Sequence, residues 1–303
     1  MRVFVTGATG FVGTAVVQEL LAAGHQVLGL ARSEEAVAKL TAAGAEVHRG
    51  TLEDLDRLRE AALAADGIIH TAFIHDFSNM AASAATDQTA ITTFIEALAG
   101  TGKPLVVTSG IATIGGLEGG RLGTEKDAPN PETPGRHRVR SEEITLAAAA
   151  RGLRASVVRL PTSVHDKDDH GFVPALINIA RKKGVSAYIG EGRNRWPAVH
   201  RLDAARVYRL ALEKGAAGTR FHAIGDEGIP TRDIAAAIGK QLGLPVVSIP
   251  PAEAADHFSW LGHFFAVDCP ASGTLTQEWL GWQPVHPGLI EDLSNGSYFG
   301  DGK

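Results

Sequence analysis

The run Thr6-Gly7-Ala8-Thr9-Gly10-Phe11-Val12-Gly13 sets glycines at three-residue intervals between a β-branched run and an amphipathic stretch. In a strand-to-helix turn of this kind, Gly7 permits the tight bend and Gly10 lets an anion approach the backbone. Gly13 allows the helix to lie close on the strand. Backbone N–H groups and the positive end of the helix can then receive a pyrophosphate. A second chemical signal closes the next apolar run, Leu28-Gly29-Leu30-Ala31-Arg32-Ser33. No carboxylate stands there to hydrogen-bond a free ribose 2′-hydroxyl, whereas Arg32 and Ser33 offer a guanidinium and a hydroxyl to a 2′-phosphate. These residues predict a dinucleotide site that prefers NADP(H), with Thr6, Gly7, Thr9, Gly10, Phe11, Val12, Gly13, Arg32 and Ser33 as its contacts.

Such a site has to be held by parallel strands and the helices between them. The pattern supplies both: strand-like runs at 2–5, 26–30, 46–48, 67–70, 104–108 and 154–159 alternate with helical periodicity at 11–23, 34–43, 54–64, 80–98 and 141–150. Strands spaced by helices pair in parallel through right-handed crossovers. The expected fold is therefore α/β, a Rossmann-type doubly wound parallel sheet with a smaller C-terminal substrate lobe. Residues 115–135, rich in glycine, proline and charge, read as an irregular loop. Beyond Pro161 the rhythm loosens, with helices expected at 172–183, 203–214 and 231–242. The division drawn from this change is 1–164 for the NADP-binding domain and 165–303 for the lobe, the chain crossing back to the first.

Composition narrows the classes of partner. A chain of 303 residues with 44% hydrophobic content can bury a full core. Its 29 basic and 34 acidic residues, net −5, give no electrostatic footprint for nucleic acid or an anionic membrane. The single cysteine, Cys269, excludes an internal disulfide and a thiolate zinc cluster, and no His-x-x-x-His with a further ligand appears, so no metal is expected. No apolar run reaches the roughly 18 residues of a spanning helix, and the chain runs from Met1-Arg2 straight into a strand without a leader. A cytoplasmic location is expected.

Further runs occur in order: Ile68-Ile69-His70-Thr71-Ala72, Val106-Val107-Thr108-Ser109 and Val157-Val158-Arg159-Leu160-Pro161. Trp196-Pro197-Ala198-Val199-His200-Arg201-Leu202-Asp203-Ala204-Ala205 and Leu280-Gly281-Trp282-Gln283-Pro284 follow. With the glycine turn, they resemble the short-chain dehydrogenase/reductase superfamily over nearly the whole chain. The likeness is to its extended and atypical branches, which include NAD-dependent epimerase/dehydratase-like and 3β-hydroxysteroid-dehydrogenase-like proteins. The resemblance implies that Leu52 closes over adenine, that Thr71, Ala72 and Phe73 line the cofactor, and that Pro161, Thr162 and Ser163 meet the nicotinamide end.

The chemistry departs from the family. Its enzymes use a Tyr-x-x-x-Lys pair in which tyrosine handles the proton. Here the tyrosines are Tyr188, Tyr208 and Tyr298, and none has lysine four residues later. Counting back from the helix at 141–150 puts the missing pair within Gly135-Arg136-His137-Arg138-Val139-Arg140. Arg140 is the expected substitute for lysine as ribose contact, and His137 the expected acid. Ser109, beside the family's catalytic hydroxyl position, and Asp87, on the long helix where the family has asparagine, complete the catalytic set. His75, Phe77, His165, Trp196 and His200 come from segments the fold would bring to the pocket mouth, where aromatic faces suit an apolar or flat ligand. The leading expectation is an NADPH-dependent ketoreductase or dehydrogenase acting on a small apolar or polycyclic molecule. The alternatives are a sugar-nucleotide epimerase or dehydratase and a non-catalytic NADP(H)-sensing protein. A homodimer through helices 80–98 and 141–150 is the expected assembly.

Overall fold

The computed structural model describes residues 1–76, 79–295 and 298–299. Its first half runs β1 (Arg2–Thr6), α1 (Phe11–Ala22), β2 (Gln26–Ala31), α2 (Glu34–Ala43), β3 (Glu46–Arg49), α3 (Leu55–Ala64), β4 (Gly67–His70), α4 (Met80–Leu98), β5 (Pro104–Gly110), α5 (Val139–Ala147) and β6 (Arg154–Leu160). There follow β7 (Ser163–His165), α6 (Phe172–Lys183), β8 (Ser186–Ile189), β9 (Arg195–His200), α7 (Arg201–Lys214), β10 (Thr219–His222) and β11 (Asp226–Pro230). The chain closes with α8 (Thr231–Leu242), β12 (Val246–Ile249), α9 (Ala254–Phe258), α10 (Leu261–Phe265), α11 (Thr274–Leu280) and α12 (Leu289–Ser294).

Seven strands form one parallel sheet in the order β10-β6-β5-β4-β1-β2-β3. The continuous apolar runs read from the sequence are the ones this sheet buries on both faces: Val3, Phe4, Val5, Ile68, Ile69, Leu105, Val106 and Val107 are fully buried. From β1 the chain winds out to β2 and β3, then returns to β4 on the other side of β1. That reversal opens a crevice at the carboxyl ends of β1 and β4, where α/β sheets of this kind bind ligands. Helix α2 begins where Ser33 accepts a hydrogen bond from the Ala36 N–H, and it ends at Gly44 in the left-handed conformation.

The later chain is interleaved with the first sheet. Strands β7 and β11 flank β9 in a second sheet, and β8 pairs in parallel with β12. Between them, α7 lays Val207, Tyr208, Ala211 and Leu212 into the same core as α1, and β10 adds the outermost strand beside β6. A cut between residues 164 and 165 thus leaves α7 and β10, which complete the dinucleotide sheet, on the lobe's side of the line. The helix expected at 203–214 starts two residues earlier, where His200 accepts from the Leu202 N–H and caps it. That expected at 141–150 starts at Val139 and tightens into a 3₁₀ turn after Ala147.

One buried ionic cluster ties α5 to the sheet. Glu142 and Arg159 are both fully buried; Arg159 Nε lies 3.1 Å from Glu142 Oε2, and Arg220 Nε of β10 is 2.6 Å from Oε1. Ser109 donates to the same carboxylate at 3.0 Å. Removing the charge at Glu142 strands a buried guanidinium, which costs about 3 to 5 kcal/mol in comparable pairs. Glu142→Gln is accordingly expected to lose that order of stability in urea unfolding, and a loss under about 1 kcal/mol would contradict the arrangement.

Candidate functional site

The crevice is lined first by backbone. Gly7 has φ 65°, and the Gly10 N–H donates to the Gly7 carbonyl at 2.9 Å, closing the turn. A Cβ on Gly13 would stand 1.9 Å from the Gly7 oxygen, and one on Gly7 would meet the Ala72 nitrogen at 2.7 Å. Only glycine therefore lets α1 and the loop after β4 close on the turn. Thr71 Oγ1 donates to the Thr6 carbonyl at 2.8 Å, fastening that loop. No side chain caps the first turn of α1, so its N–H groups face the crevice mouth as an anion cradle. This geometry fits the phosphates of a dinucleotide.

At the end of β2, Arg32 is exposed, and Ser33 spends an oxygen lone pair on the α2 cap while keeping its O–H as a donor. Glu34 would place a negative charge nearby, but Arg49 holds it through two contacts at 2.6 and 2.9 Å. Leu52 packs half-buried on the core beneath β2 and β4.

The crevice floor is a polar network around Asp87 of α4, whose side chain is 1% exposed. His70 Nε2 lies 3.1 Å from Asp87 Oδ1, and its Nδ1 is 2.6 Å from Thr6 Oγ1. Ser141 donates to Asp87 Oδ2, and Arg138 sits 3.1 Å from Oδ1 while donating to the Thr108 carbonyl. Burial pushes the Asp87 carboxyl up; Arg138 and the His70 and Ser141 hydrogen bonds outweigh it and hold the group down at about 2. Asp87 is an anion at all working pH. The Arg138 guanidinium carbon also lies 4.3 Å from the centroid of the Phe73 ring.

Several expected site residues take other places. Arg140 faces solvent, with its side chain 66% exposed, and pairs with Glu143; the arginine of that stretch in the crevice is Arg138. Ser109 is buried and its hydroxyl is committed to Glu142, which turns it away from the crevice. His137 is half-buried beside Phe73, their rings 5.7 Å apart. Its burial and the neighbouring Arg138 hold it at about 4, so at neutral pH it is not the imidazolium expected of an acid. Trp196 is fully buried between Phe172 and Phe265, a core residue of the lobe. His165 is likewise buried against Asp292 at 2.9 Å, and His200 caps α7 and stacks on His286 at 4.6 Å. Neither lies at the mouth. His75 does, 5.2 Å from the Phe73 ring, while Phe77 falls outside the described residues.

Pro161 and Ser163 are buried at the end of β6, and Thr162 Oγ1 is 3.3 Å from Cys269 Sγ. Burial pushes that thiol up to about 12, which leaves it inert. No tyrosine reaches the floor. Tyr208 is buried behind β5 at 2.8 Å from Thr108 Oγ1, and Tyr298 hydrogen-bonds Asp169. Four residues before Arg138 the chain has Pro134, and Gly135 beside it packs closely on the turn after β5, where a Cβ would meet Ala112 C at 2.5 Å and Thr113 N at 2.6 Å. Two further basic residues enter here. His170 and Arg201 both cover Phe11, at 5.7 Å between rings and 4.6 Å from guanidinium carbon to centroid.

A parallel seven-stranded sheet with an uncapped glycine turn at its switch point defines a dinucleotide-binding protein of the Rossmann class. The model of the NAD dependent epimerase/dehydratase family matches residues 3–224, and the chain belongs to that family. It is similar to an uncharacterised protein of Schizosaccharomyces pombe, 51% identical over 300 residues that span 99% of this chain and 100% of the relative. A farnesyl-dihydroquinoline-oxide ketoreductase of Stigmatella aurantiaca is 29% identical over 235 residues, covering 72% of this chain and 66% of its own. The fold matches a dTDP-glucose 4,6-dehydratase of Streptomyces venezuelae, solved with NAD, at TM-score 0.79, 21% identity and 98% and 96% coverage. A general nicotinamide-dependent oxidoreductase role is thereby supported. No described helix is long and apolar enough to cross a membrane.

The position of His137 has a direct readout. In an NMR titration its ring signals are expected to change near pH 4, well below the 6.5 of a free imidazole. Because the folded value is the lower one, the stability this ring contributes is complete above about pH 6.5 and is lost as pH falls toward 4. A midpoint at 6.5 would place the ring in solvent.

Proposed function

We propose that the chain is an NADPH-dependent ketoreductase or dehydrogenase for a carbonyl or alcohol of a small apolar molecule, working without the tyrosine of its family. The observation that carries this reading is Arg138, fixed in the crevice floor by Asp87 and the Thr108 carbonyl. It takes the ribose-anchoring role that spacing alone gave to Arg140. The turn from Thr6 through Gly13 would hold the pyrophosphate, Arg32 and Ser33 the 2′-phosphate, Leu52 the adenine side, and Thr71, Ala72, Phe73, Pro161, Thr162 and Ser163 the remainder. When bound, the nicotinamide supplies or accepts the hydride.

The protein's own part is positioning, which alone can recover several kcal/mol of a reaction barrier. Arg138 stays protonated and cannot shuttle a proton, so it orients and stabilises negative charge instead. With His137 neutral at pH 7, water delivers the proton to the substrate oxygen. The ketoreductase relative supports the substrate class. An epimerase that cycles its cofactor through a tyrosine acid needs that group four residues before the basic one, and Pro134 stands there before Arg138.

Two measurements test the reading. NADPH is expected to bind at least about tenfold more tightly than NADH, from charge-assisted contacts worth about 1.5 to 3 kcal/mol each, and Arg32→Ala to remove most of that difference. Equal affinities in the wild type would end the NADP assignment. Consumption of NADPH with a panel of alkyl and cyclic ketones separates the enzyme from a sensor, which would bind the cofactor without turnover.

A further inference from the structure

The start of α7 gathers three imidazoles, each with an aspartate beside it. His200 and His286 lie face to face, 4.6 Å between ring centres and 12° between planes, and the His165 ring stands edge-on to His200 at 5.5 Å. Asp292 Oδ2 is 2.9 Å from His165 Nδ1, Asp203 Oδ1 is 3.0 Å from His286 Nδ1, and Asp166 Oδ1 is 3.5 Å from His200 Nε2. The backbone depends on His200. Its Nδ1 accepts the Leu202 N–H at 3.3 Å, doing for α7 what a side-chain oxygen does at most helix starts. An imidazole nitrogen accepts only through its lone pair, so the cap requires the neutral ring with its hydrogen on Nε2. A proton on Nδ1 sets two N–H groups against each other.

Two contacts carry the state of this cap into the crevice. The next residue, Arg201, holds Asp166 Oδ2 at 2.8 and 3.1 Å and lays its guanidinium carbon 4.6 Å from the Phe11 centroid. Phe11 opens α1 directly after Gly10 of the glycine turn. An imidazolium at His200 would compete with Arg201 for Asp166, so the cap and the seat of Arg201 are lost together. The charged and titratable groups around His200 come from every element packed on it. They are His165 of β7, Asp166 just after it, His286 of the chain after α11 and Asp292 of α12. On α7 itself stand Arg201 and Asp203, the latter also 3.5 Å from Arg206. Burial, with the charges of His165 and His286, outweighs Asp166 and Asp292 and holds His200 below its ordinary value. The neutral, capping form is therefore complete above about pH 6.5 and is lost as pH falls through the lowered value.

We propose that His200 is a proton-operated catch: neutral, it caps α7 and leaves Arg201 seated on Phe11, and protonated it releases both, so that acid weakens the hold on the dinucleotide. The link to a dinucleotide rests on the reading above, while the catch itself stands on the side-chain geometry at the start of α7. By linkage, a bound dinucleotide opposes protonation of His200 by the same factor by which protonation weakens its binding. The negative charge of the ligand acts the other way and favours the imidazolium. The direction of the change thus separates a mechanical link from plain electrostatics.

NMR on the isotope-labelled full chain, titrated from pH 7.5 through the His200 midpoint, reads the catch without turnover. The His200 ring signal is the one missing in His200→Asn. Without ligand, the Leu202 amide and the Phe11 ring are expected to change with the His200 midpoint, and a Phe11 ring that keeps its shift across it would overturn the catch. With saturating NADP⁺ the midpoint is expected to fall by about half a pH unit, the linked equivalent of a roughly threefold change in affinity, which one helix cap can supply. A midpoint that NADP⁺ leaves unmoved or raises would overturn the coupling. Asparagine caps a helix well and takes up no proton. The affinity of His200→Asn for NADP⁺ relative to wild type is therefore expected to rise at least about threefold over the same pH range, and a constant ratio would overturn the proposal. Titration of the ligand, His75 and His137 is common to both proteins and cancels in that ratio. In Arg201→Met the fall induced by NADP⁺ is expected to vanish; if it persists, the route through Arg201 is wrong. A chain that binds no NADP⁺ at any pH, but whose Phe11 ring follows the His200 midpoint, keeps the catch and removes the dinucleotide reading instead.

Discussion

A carboxylate with almost no contact with water is costly unless it is paired and hydrogen-bonded, and Asp87 meets that condition with groups from three parts of the chain. His70 comes from the end of β4, Ser141 from α5 and Arg138 from the turn before it. The network extends through His70 to Thr6 at the end of β1. One buried charge therefore sets the spacing between the glycine turn, the loop that closes on it and the start of α5. Arg138 has little freedom once Asp87 and the Thr108 carbonyl hold it, and Phe73 has little once Arg138 lies over its face.

That constraint also fixes the turn before α5, where the family's tyrosine and lysine would stand. Gly135 packs its backbone directly on Ala112 and Thr113, and the approach that excludes a side chain there brings the following turn, with Arg138, down onto Asp87. A planar, permanently charged guanidinium with several donors can serve the carboxylate and a backbone carbonyl at once. An ammonium in the same place would be a point charge able to lose its proton when desolvated. Under the proposed reading, the exchange gives up proton transfer by the side chain and retains a fixed positive field.

How much of this was legible in the sequence follows the range of the forces involved. The sheet strands, the glycine turn and α4 are visible because continuous apolar runs and helical periodicity are local properties of a buried parallel sheet. Arg138 faces Asp87 where the spacing pointed to Arg140, because α5 starts two residues before the expected position. At about 100° per residue a two-residue slip moves a side chain to nearly the opposite face, here from the crevice floor to solvent. Trp196, His165 and His200 read as mouth residues since nothing local tells a buried polar group from an exposed one. Their partners, Phe265, Asp292 and His286, lie between 69 and 127 residues away in sequence. His170 carried no signal and Arg201 entered only as part of the run from Trp196 to Ala205, because Phe11, which gathers them, is distant in sequence too.

The last of these contacts says most about how the two halves work as one. Arg201 opens α7 and Phe11 opens α1, two helices packed side by side that both begin at the crevice. A cation in the first turn of a helix opposes the helix dipole, so Arg201 is not there for the sake of α7. Its charge is balanced by Asp166 and its plane is laid on Phe11, contacts directed into the crevice rather than along the helix. Two residues on, Asp203 obeys the dipole and accepts the N–H groups of Val285 and His286, fixing the C-terminal chain to the same turn. The first turn of α7 thus couples the lobe to the glycine turn through one cation and one anion with opposite tasks. A shift of the α7 start would loosen both of these contacts at once.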